Sequence, residues 1–161
     1  MNHEGHEGDE GHKGDKWLEE EHVRSARHRM RLPSPLSPHA ERVMSETIGC
    51  AIRVHQALGP GFLKSIYRKA MCVELAASEL SYEAERPITV RYRESDLAGQ
   101  RVDLIVEGEI ILELKAVIKL DEVHRSQVIS YLRTTGLKGG LLVNFRVRLL
   151  KDGLQRIVLS Q

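Results

Sequence analysis

The 161-residue sequence predicts an α/β domain with a mixed central sheet flanked by helices. Apolar residues recur at helical spacing in two segments before the first predicted strand and in one segment after the third. Short apolar runs predict five strands. One helix separates the third strand from the fourth, and such a crossover is right-handed and joins parallel strands. The predicted order is therefore helix, helix, three strands, helix, strand, strand.

The N-terminal segment, residues 1–39, is predicted to be a disordered tail. Residues 1–15 consist mainly of His, Glu, Gly, Asp and Lys, which bury too little apolar surface to offset chain entropy. Three prolines between residues 33 and 38 interrupt regular structure. The folded domain is predicted to span residues 40–161. Met44 is an alternative start of translation, a hypothesis that mass spectrometry of the native protein would settle.

Two helices are predicted before the sheet. The first covers residues 40–58 and stops at Gly59-Pro60-Gly61. Its apolar side includes His55, which is interpreted as a hydrogen-bonded core histidine. The second covers about residues 62–80. Its side chains predicted to face the core are Leu63, Ile66, Tyr67, Ala70, Met71 and Val73.

The remaining elements alternate between strands and one helix. That helix spans about residues 121–134, with Asp121 as its N-cap and Gly136 near its C-terminal end. The predicted strands are residues 88–93, 102–106, 110–117, 141–145 and 155–159.

Two acidic residues and a lysine lie on the predicted second and third strands. Side chains alternate along a strand, so Glu113 and Lys115 share a face. A three-residue turn over 107–109 would place Asp103 opposite Glu113, with Cβ atoms roughly 5 Å apart. A divalent cation would offset the repulsion between the two carboxylates. The alternative is a solvated charge pair, but the apolar residues around Glu113 indicate a strand covered on both faces.

The predicted third helix carries polar residues on one face. His124, Gln127 and Tyr131 are spaced at i, i+3 and i+7, and a helix docked on the sheet would aim them at the acidic pair. The alternative is that Tyr131 is a core aromatic residue and Gln127 is exposed. On spacing alone that alternative is slightly favoured.

Composition limits the class of protein. No apolar run approaches the roughly 18 residues of a membrane span, and the acidic N-terminus excludes a secretory signal. Cys50 and Cys72 are isolated, which predicts free thiols in a reducing cytoplasm. The net charge is +1, and residues 41–161 carry 18 − 15 = +3, which neither requires nor excludes a nucleic-acid partner. Homodimerisation is possible, since dimers are the commonest assembly.

An Asp, then Glu-x-Lys, then Gln-x-x-x-Tyr on the next helix resembles the pattern of the PD-(D/E)XK, or restriction-endonuclease-like, nucleases. The chain also resembles the bacterial GxxExxY protein family over about residues 44–159. The segments that carry this resemblance are residues 52–67, 102–116, 124–132 and 141–158, including Leu-Gly-Pro-Gly and Asn-Phe…Leu-Lys-Asp-Gly.

The resemblance implies a restriction-endonuclease-like core of αβββαβ type and a metal-dependent nuclease. Asp103 and Glu113 would bind Mg²⁺ or Mn²⁺, with the Leu114 carbonyl as a further ligand. Lys115 would orient or polarise the attacking water. The expected reaction is hydrolysis of phosphodiester bonds in DNA, with RNA less favoured. Gln127 and Tyr131 would support the lysine or contact the substrate backbone.

One departure from the family motif is expected to matter. The motif Gly-x-x-Glu-x-x-Tyr matches Gly61, Lys64 and Tyr67, so a lysine replaces the glutamate. A protonated lysine cannot bind a metal ion, although it can contact phosphate. The alternative to a nuclease is therefore a catalytically weakened nucleic-acid-binding or regulatory protein. Lys64, His124 and Arg146 are candidate nucleic-acid contacts, and the low aromatic content indicates no evident stacking platform for single strands.

Overall fold

The structure is a computed structural model that describes residues 33–160. The predictions for residues 1–32, which cover most of the expected tail, lie outside the described residues. Among the described residues, no helix is both long and apolar enough to cross a membrane.

Within residues 33–160, three α-helices form where the sequence places caps and stop signals. They are α1 (Pro38–Leu58), α2 (Lys64–Ala77) and α3 (Glu122–Thr135). The Ser37 hydroxyl caps α1 by accepting a hydrogen bond from the Ala40 N–H at 3.0 Å. The Asp121 carboxylate caps α3, and Gly136 ends it in the left-handed conformation. The three predicted helices are confirmed, with boundaries that differ by a few residues.

In the described part of the chain, five strands form one mixed sheet in the order β1-β2-β3-β4-β5. Strands β3 and β4 are parallel, and α3 connects them, as the crossover rule predicts. The other neighbouring pairs of this sheet are antiparallel. The strands are β1 (Tyr82–Tyr92), β2 (Ser95–Val106), β3 (Ile110–Lys115), β4 (Gly139–Asn144) and β5 (Leu154–Val158), with a 3₁₀ helix (Leu150–Gly153) before β5. The predicted α/β class with a mixed sheet flanked by helices is confirmed.

Helices pack on both faces of β3. Leu112 and Leu114 join the apolar cluster that contains α1 and α2 side chains. Ile111 joins the second cluster, with Val128 and Leu132 of α3. The prediction that this strand is covered on both faces is confirmed. Burial on both faces fixes the register, because a slip of one residue would exchange the two apolar sets.

The β1–β2 hairpin is longer than predicted. The sequence indicated strands over residues 88–93 and 102–106, whereas pairing runs from Tyr82↔Val106 to Tyr92↔Ser95. Most side chains in this extension are exposed. Backbone pairing, rather than burial, forms this part of the hairpin, so its sequence shows no apolar alternation.

The turn between β2 and β3 has the predicted length of three residues. Val106 pairs with Ile110, and the Glu109 N–H donates to the Val106 carbonyl at 2.9 Å. Glu107 and Gly108 adopt positive φ angles of 54° and 63°. Extending the register past Leu104↔Leu112 by one residue places Asp103 opposite Glu113.

Helix α2 buries a narrower stripe than predicted. Tyr67, Met71 and Leu75 are fully buried at a spacing of four residues. The prediction that Leu63, Ile66 and Val73 face the core was wrong, since these side chains are exposed. Helix α2 covers one side of the sheet, so only one stripe of its surface is buried.

Candidate active site

The predicted acidic pair lies where β2 and β3 stop pairing. The ladder between these strands ends at the pair Leu104↔Leu112. Beyond it, the Asp103 Oδ2 accepts a hydrogen bond from the Leu114 N–H at 2.9 Å. The N–H and C=O of one strand residue point to the same side. The Leu114 carbonyl therefore points toward β2, past the end of that ladder.

The Lys64 ammonium group lies between the two carboxylates. Its Nζ is 2.9 Å from the Asp103 Oδ2 and 3.8 Å from the Glu113 Oε1. Lys64 is the first residue of α2, where the helix dipole disfavours a cation. The two carboxylates offset this cost, and their contact with one ammonium group shows that they converge on a common point.

A hydrogen-bonded chain links Lys115 to α3. The Lys115 Nζ lies 3.3 Å from the Glu113 Oε1 and donates to the Gln127 Oε1 at 2.7 Å. The Gln127 Nε2 donates to the Tyr131 hydroxyl at 2.7 Å, and that hydroxyl donates to the Gln100 Oε1 at 3.5 Å. The structure thus brings together the five residues that the sequence predicted as a catalytic cluster. Gln100 is an addition that the sequence did not indicate.

Glu113 carries the strongest electrostatic perturbation of the centre. Its side chain is 2% exposed, and its Oε2 has no hydrogen-bond partner among the described residues. Burial, and then the charge of Asp103, raise the pKa of Glu113 to about 7, despite the opposing effects of Lys64 and Lys115. Burial also raises the pKa of Tyr131, and the Glu113 charge adds to this effect.

Glu113→Gln is expected to stabilise the protein by about 1–3 kcal/mol at pH 8. Because the folded-state pKa of Glu113 is raised from 4.5 to about 7, the folded protein retains a proton that the unfolded chain releases. Stability therefore falls as the pH rises through this window and stays lower above it. Glutamine carries no charge, so the variant does not pass through this loss of stability. Urea unfolding at pH 8 and pH 4 measures the free energy of unfolding of both proteins.

The two proteins should have similar free energies of unfolding at pH 4, where Glu113 is protonated in both the folded and the unfolded state. A glutamine variant less stable than wild type at pH 8 would contradict the prediction. That result would mean that the ion pairs of Glu113 with Lys64 and Lys115 outweigh the cost of its burial.

The residues present fit one divalent cation. Lys64 marks a point near both carboxylates where positive charge is accepted, and the Glu113 Oε2 has no other partner among residues 33–160. In this part of the chain no group of three His, Cys, Asp or Glu side chains gathers to hold a metal. Two carboxylates, a backbone carbonyl and waters suit Mg²⁺. A metal ion at this point would require the half-exposed Lys64 side chain to withdraw.

The other two motif residues shape the loop that leads into α2. Gly61 has a φ of 118°, a conformation that favours glycine. The buried Tyr67 hydroxyl donates to the Gly59 carbonyl at 2.5 Å and accepts from the Phe62 N–H at 3.2 Å. The Tyr67 ring stacks on Phe145 at 4.4 Å. Tyr67 therefore fixes the loop that presents Lys64 to the acidic pair.

Tyr67→Phe is expected to lower the free energy of unfolding by about 1–2 kcal/mol. The substitution removes the hydroxyl that satisfies the Gly59 carbonyl and the Phe62 N–H, while the stacked ring remains. Urea titration measures the change. Tyr92→Phe is the matched control, because Tyr92 is 59% exposed on the hairpin. Equal destabilisation by the two substitutions would contradict this role of the Tyr67 hydroxyl.

Arg146 is held beside the centre by Asn144. The buried Asn144 side chain accepts from the Val117 N–H and donates to the Val117 carbonyl, at 3.1 and 2.9 Å. Its Oδ1 also accepts from the Arg146 N–H at 3.2 Å. Asn144 thereby joins the segment after Lys115 to the segment after β4. A cleft of about 570 Å³ opens there, and its lining includes Phe62, Leu63, Lys64, Lys115 and Arg146.

His124 lies at the start of α3 and completes its cap. The His124 Nδ1 accepts a hydrogen bond from the Asp121 N–H at 3.1 Å, while the Asp121 carboxylate accepts from backbone N–H groups of the helix. The ring also lines a second cleft, of about 420 Å³, beside Gln127 and Tyr131. His55 is the predicted core histidine, with its Nε2 2.7 Å from the Val147 carbonyl oxygen.

Comparison with known proteins gives the family of the chain. A family model described as the PD-(D/E)XK nuclease superfamily matches residues 41–157. The chain belongs to the PD-(D/E)XK nuclease superfamily. No curated protein and no solved structure gave a significant match. The matched residues include Asp103, Glu113, Lys115, Gln127 and Tyr131.

Proposed function

We propose that this protein is a metal-dependent nuclease that hydrolyses phosphodiester bonds in DNA, with RNA a less favoured substrate. The observation that carries the proposal is the convergence of Asp103 and Glu113 on one point, with Lys115 held beside them. Membership of the PD-(D/E)XK superfamily supports the same chemistry. Within the superfamily, we assign the chain to the GxxExxY family on the residues around Gly61 and Tyr67.

Asp103, Glu113 and the Leu114 carbonyl would hold Mg²⁺ or Mn²⁺. When bound, such an ion neutralises charge on a phosphate and lowers the pKa of a bound water. The hydrogen bond from the Leu114 N–H to the Asp103 Oδ2 holds this carboxylate beside β3. The burial of Glu113 favours its pairing with a cation over ionisation alone.

We assign to Lys115 the role of orienting the attacking water. Its Nζ is held between the Glu113 Oε1 and the Gln127 Oε1, which fixes the direction of its third N–H. Tyr131 fixes the amide of Gln127 by accepting from its Nε2. Gln127 and Tyr131 therefore act as positioning residues for Lys115.

A second candidate function is nucleic-acid binding without turnover. The position of the Lys64 ammonium group between the two carboxylates favours it, because Lys64 already supplies the charge that a metal ion would bring. Lys64 and Arg146 would then contact phosphates directly, and His124 would extend that surface along α3. The two candidates share a binding surface and differ in metal affinity.

Cleavage of labelled single- and double-stranded DNA and RNA, with Mg²⁺ or Mn²⁺ and with EDTA as control, tests the proposal. We expect metal-dependent cleavage of DNA that EDTA abolishes. Binding without cleavage by folded protein would favour the second candidate. The proposal also includes a cytoplasmic location, consistent with the free thiols of Cys50 and Cys72. The homodimer stays a prediction that sedimentation would test.

A further inference from the structure

Phe62 is an aromatic side chain on the loop before α2, and it is 48% exposed. Its ring meets the buried Tyr67 ring in an edge-on arrangement, with centroids 6.2 Å apart. The Tyr67 hydroxyl also accepts from the Phe62 N–H, so backbone and ring are both anchored. An anchored aromatic ring that remains half exposed is already ordered for contact with a flat ligand.

The surroundings of Phe62 are apolar and cationic. Leu63, which is 75% exposed, lines the same cleft together with Lys64, Lys115 and Arg146. The two lysines are paired with Asp103 and Glu113, whereas Arg146 is exposed and pairs with no acidic side chain in the described range 33–160. Three cations against two carboxylates leave a positive balance, which favours an anionic ligand.

An aromatic ring next to cations is the combination that binds unpaired nucleotides. Bases stack on the ring, and the backbone phosphates meet the cations. In a duplex the base faces are covered by neighbouring bases, so Phe62 would find no free face. The cleft volume of about 570 Å³ lies within the range of small-molecule sites, which suits a single flipped or unpaired nucleotide.

We infer that this cleft binds single-stranded DNA, with one base stacked on Phe62 and an adjacent phosphate held by Arg146. The inference rests on the proposed function, which supplies the nucleic-acid substrate, and deepens it by naming an unpaired strand. Lys64 and Lys115 adjoin the same cleft, so a strand bound there passes the acidic pair. The sequence indicated no stacking platform because a single exposed phenylalanine does not alter the aromatic content.

Fluorescence anisotropy tests the inference with a labelled oligothymidylate and a duplex of matched length, both in EDTA. Phe62→Leu keeps apolar bulk but lacks an aromatic face, and Phe62→Tyr keeps the face. We expect Phe62→Leu to weaken single-strand binding about 5- to 100-fold and Phe62→Tyr to retain it. Duplex binding should change less than about twofold. Tyr92→Leu, on the exposed hairpin, is the matched control.

Arg146→Gln gives an independent readout. It is expected to weaken binding of the single strand and to reduce the salt dependence of its affinity by about one phosphate contact. The inference would be overturned if Phe62→Leu bound the single strand as tightly as wild type does. It would also be overturned if wild type bound the duplex more tightly than the single strand. Circular dichroism establishes that each variant is folded.

The design separates this inference from the nuclease proposal because EDTA removes any need for catalysis. If the protein cleaves DNA and the Phe62→Leu substitution does not change its binding, the nuclease proposal is retained and the stacking site is overturned. Phe62-dependent binding of single strands by a protein that cleaves nothing would support the stacking site and remove the nuclease proposal.

Discussion

Lys64→Glu is expected to raise the affinity for Mn²⁺ by at least about tenfold, which corresponds to about 1.4 kcal/mol. The wild-type ammonium group lies 2.9 Å from the Asp103 Oδ2 and competes with a metal ion for it. A unit charge at about 4 Å contributes up to about 4 kcal/mol near a protein surface. The Lys64 side chain is 38% exposed, so solvent screening reduces this value. Calorimetric titration with Mn²⁺ at pH 8 measures the change.

Lys64→Gln separates the two effects of the glutamate substitution. Glutamine removes the competing cation without adding a carboxylate, so its affinity for Mn²⁺ should lie between those of wild type and Lys64→Glu. Lys69→Glu, at an exposed position of the same helix, controls for a general change of charge. Mn²⁺ affinity in Lys64→Glu no greater than in wild type would contradict the competition that we infer.

Lys64→Glu should also make stability depend on metal. Without metal, three acidic side chains would face one another and lower the melting temperature relative to wild type. With Mn²⁺, preferential binding to the folded protein should reverse the difference. Cleavage should increase together with metal affinity, because the added carboxylate is a further candidate metal ligand beside Asp103 and Glu113.

Lys115→Ala is expected to lower the cleavage rate by about 10²- to 10⁴-fold while Mn²⁺ affinity is retained. The Lys115 Nζ is the group that Gln127 and Glu113 hold in place, and alanine leaves nothing there to orient a water. Loss of the positive charge of Lys115 beside Glu113 should not lower the affinity for Mn²⁺. Single-turnover cleavage and calorimetry on the same variant separate the two quantities.

Lys69→Ala is the matched control for Lys115→Ala, because this exposed lysine of α2 lies outside the proposed centre. Its cleavage rate should equal that of wild type. Cleavage by Lys115→Ala at the wild-type rate would remove Lys115 from the chemistry. Loss of both cleavage and Mn²⁺ binding would assign Lys115 to the integrity of the site instead.

The sequence allowed the placement of Asp103 and Glu113 to be predicted because local chemistry determines it. The turn over residues 107–109 sets the register, and the apolar run of β3 decides which side chains are buried. Helix α3 starts after its N-cap Asp121 and ends before Gly136, which brings Gln127 to Lys115. The turn, the buried strand and the two helix ends are each indicated by residues within or next to the element itself.

The contact between Lys64 and the acidic pair could not be predicted in this way. The contact depends on how α2 packs against β3. The whole β1–β2 hairpin separates these two elements in the sequence. The exposure of Phe62 and Leu63 could not be predicted either, since apolar residues beside a helix normally indicate a core face. Residues Leu63, Ile66 and Val73 have helical spacing but are exposed, whereas Tyr67, Met71 and Leu75 form the fully buried stripe of α2.

The most direct test of the proposed centre is cleavage of a labelled single-stranded DNA in Mn²⁺ by wild type and by Asp103→Asn. Asparagine keeps an oxygen that can accept from the Leu114 N–H, so the fold around β3 should persist. We predict metal-dependent cleavage by wild type and none by the folded variant. Equal cleavage by both proteins, or no cleavage by folded wild type under any metal, would contradict a nuclease centre at Asp103 and Glu113.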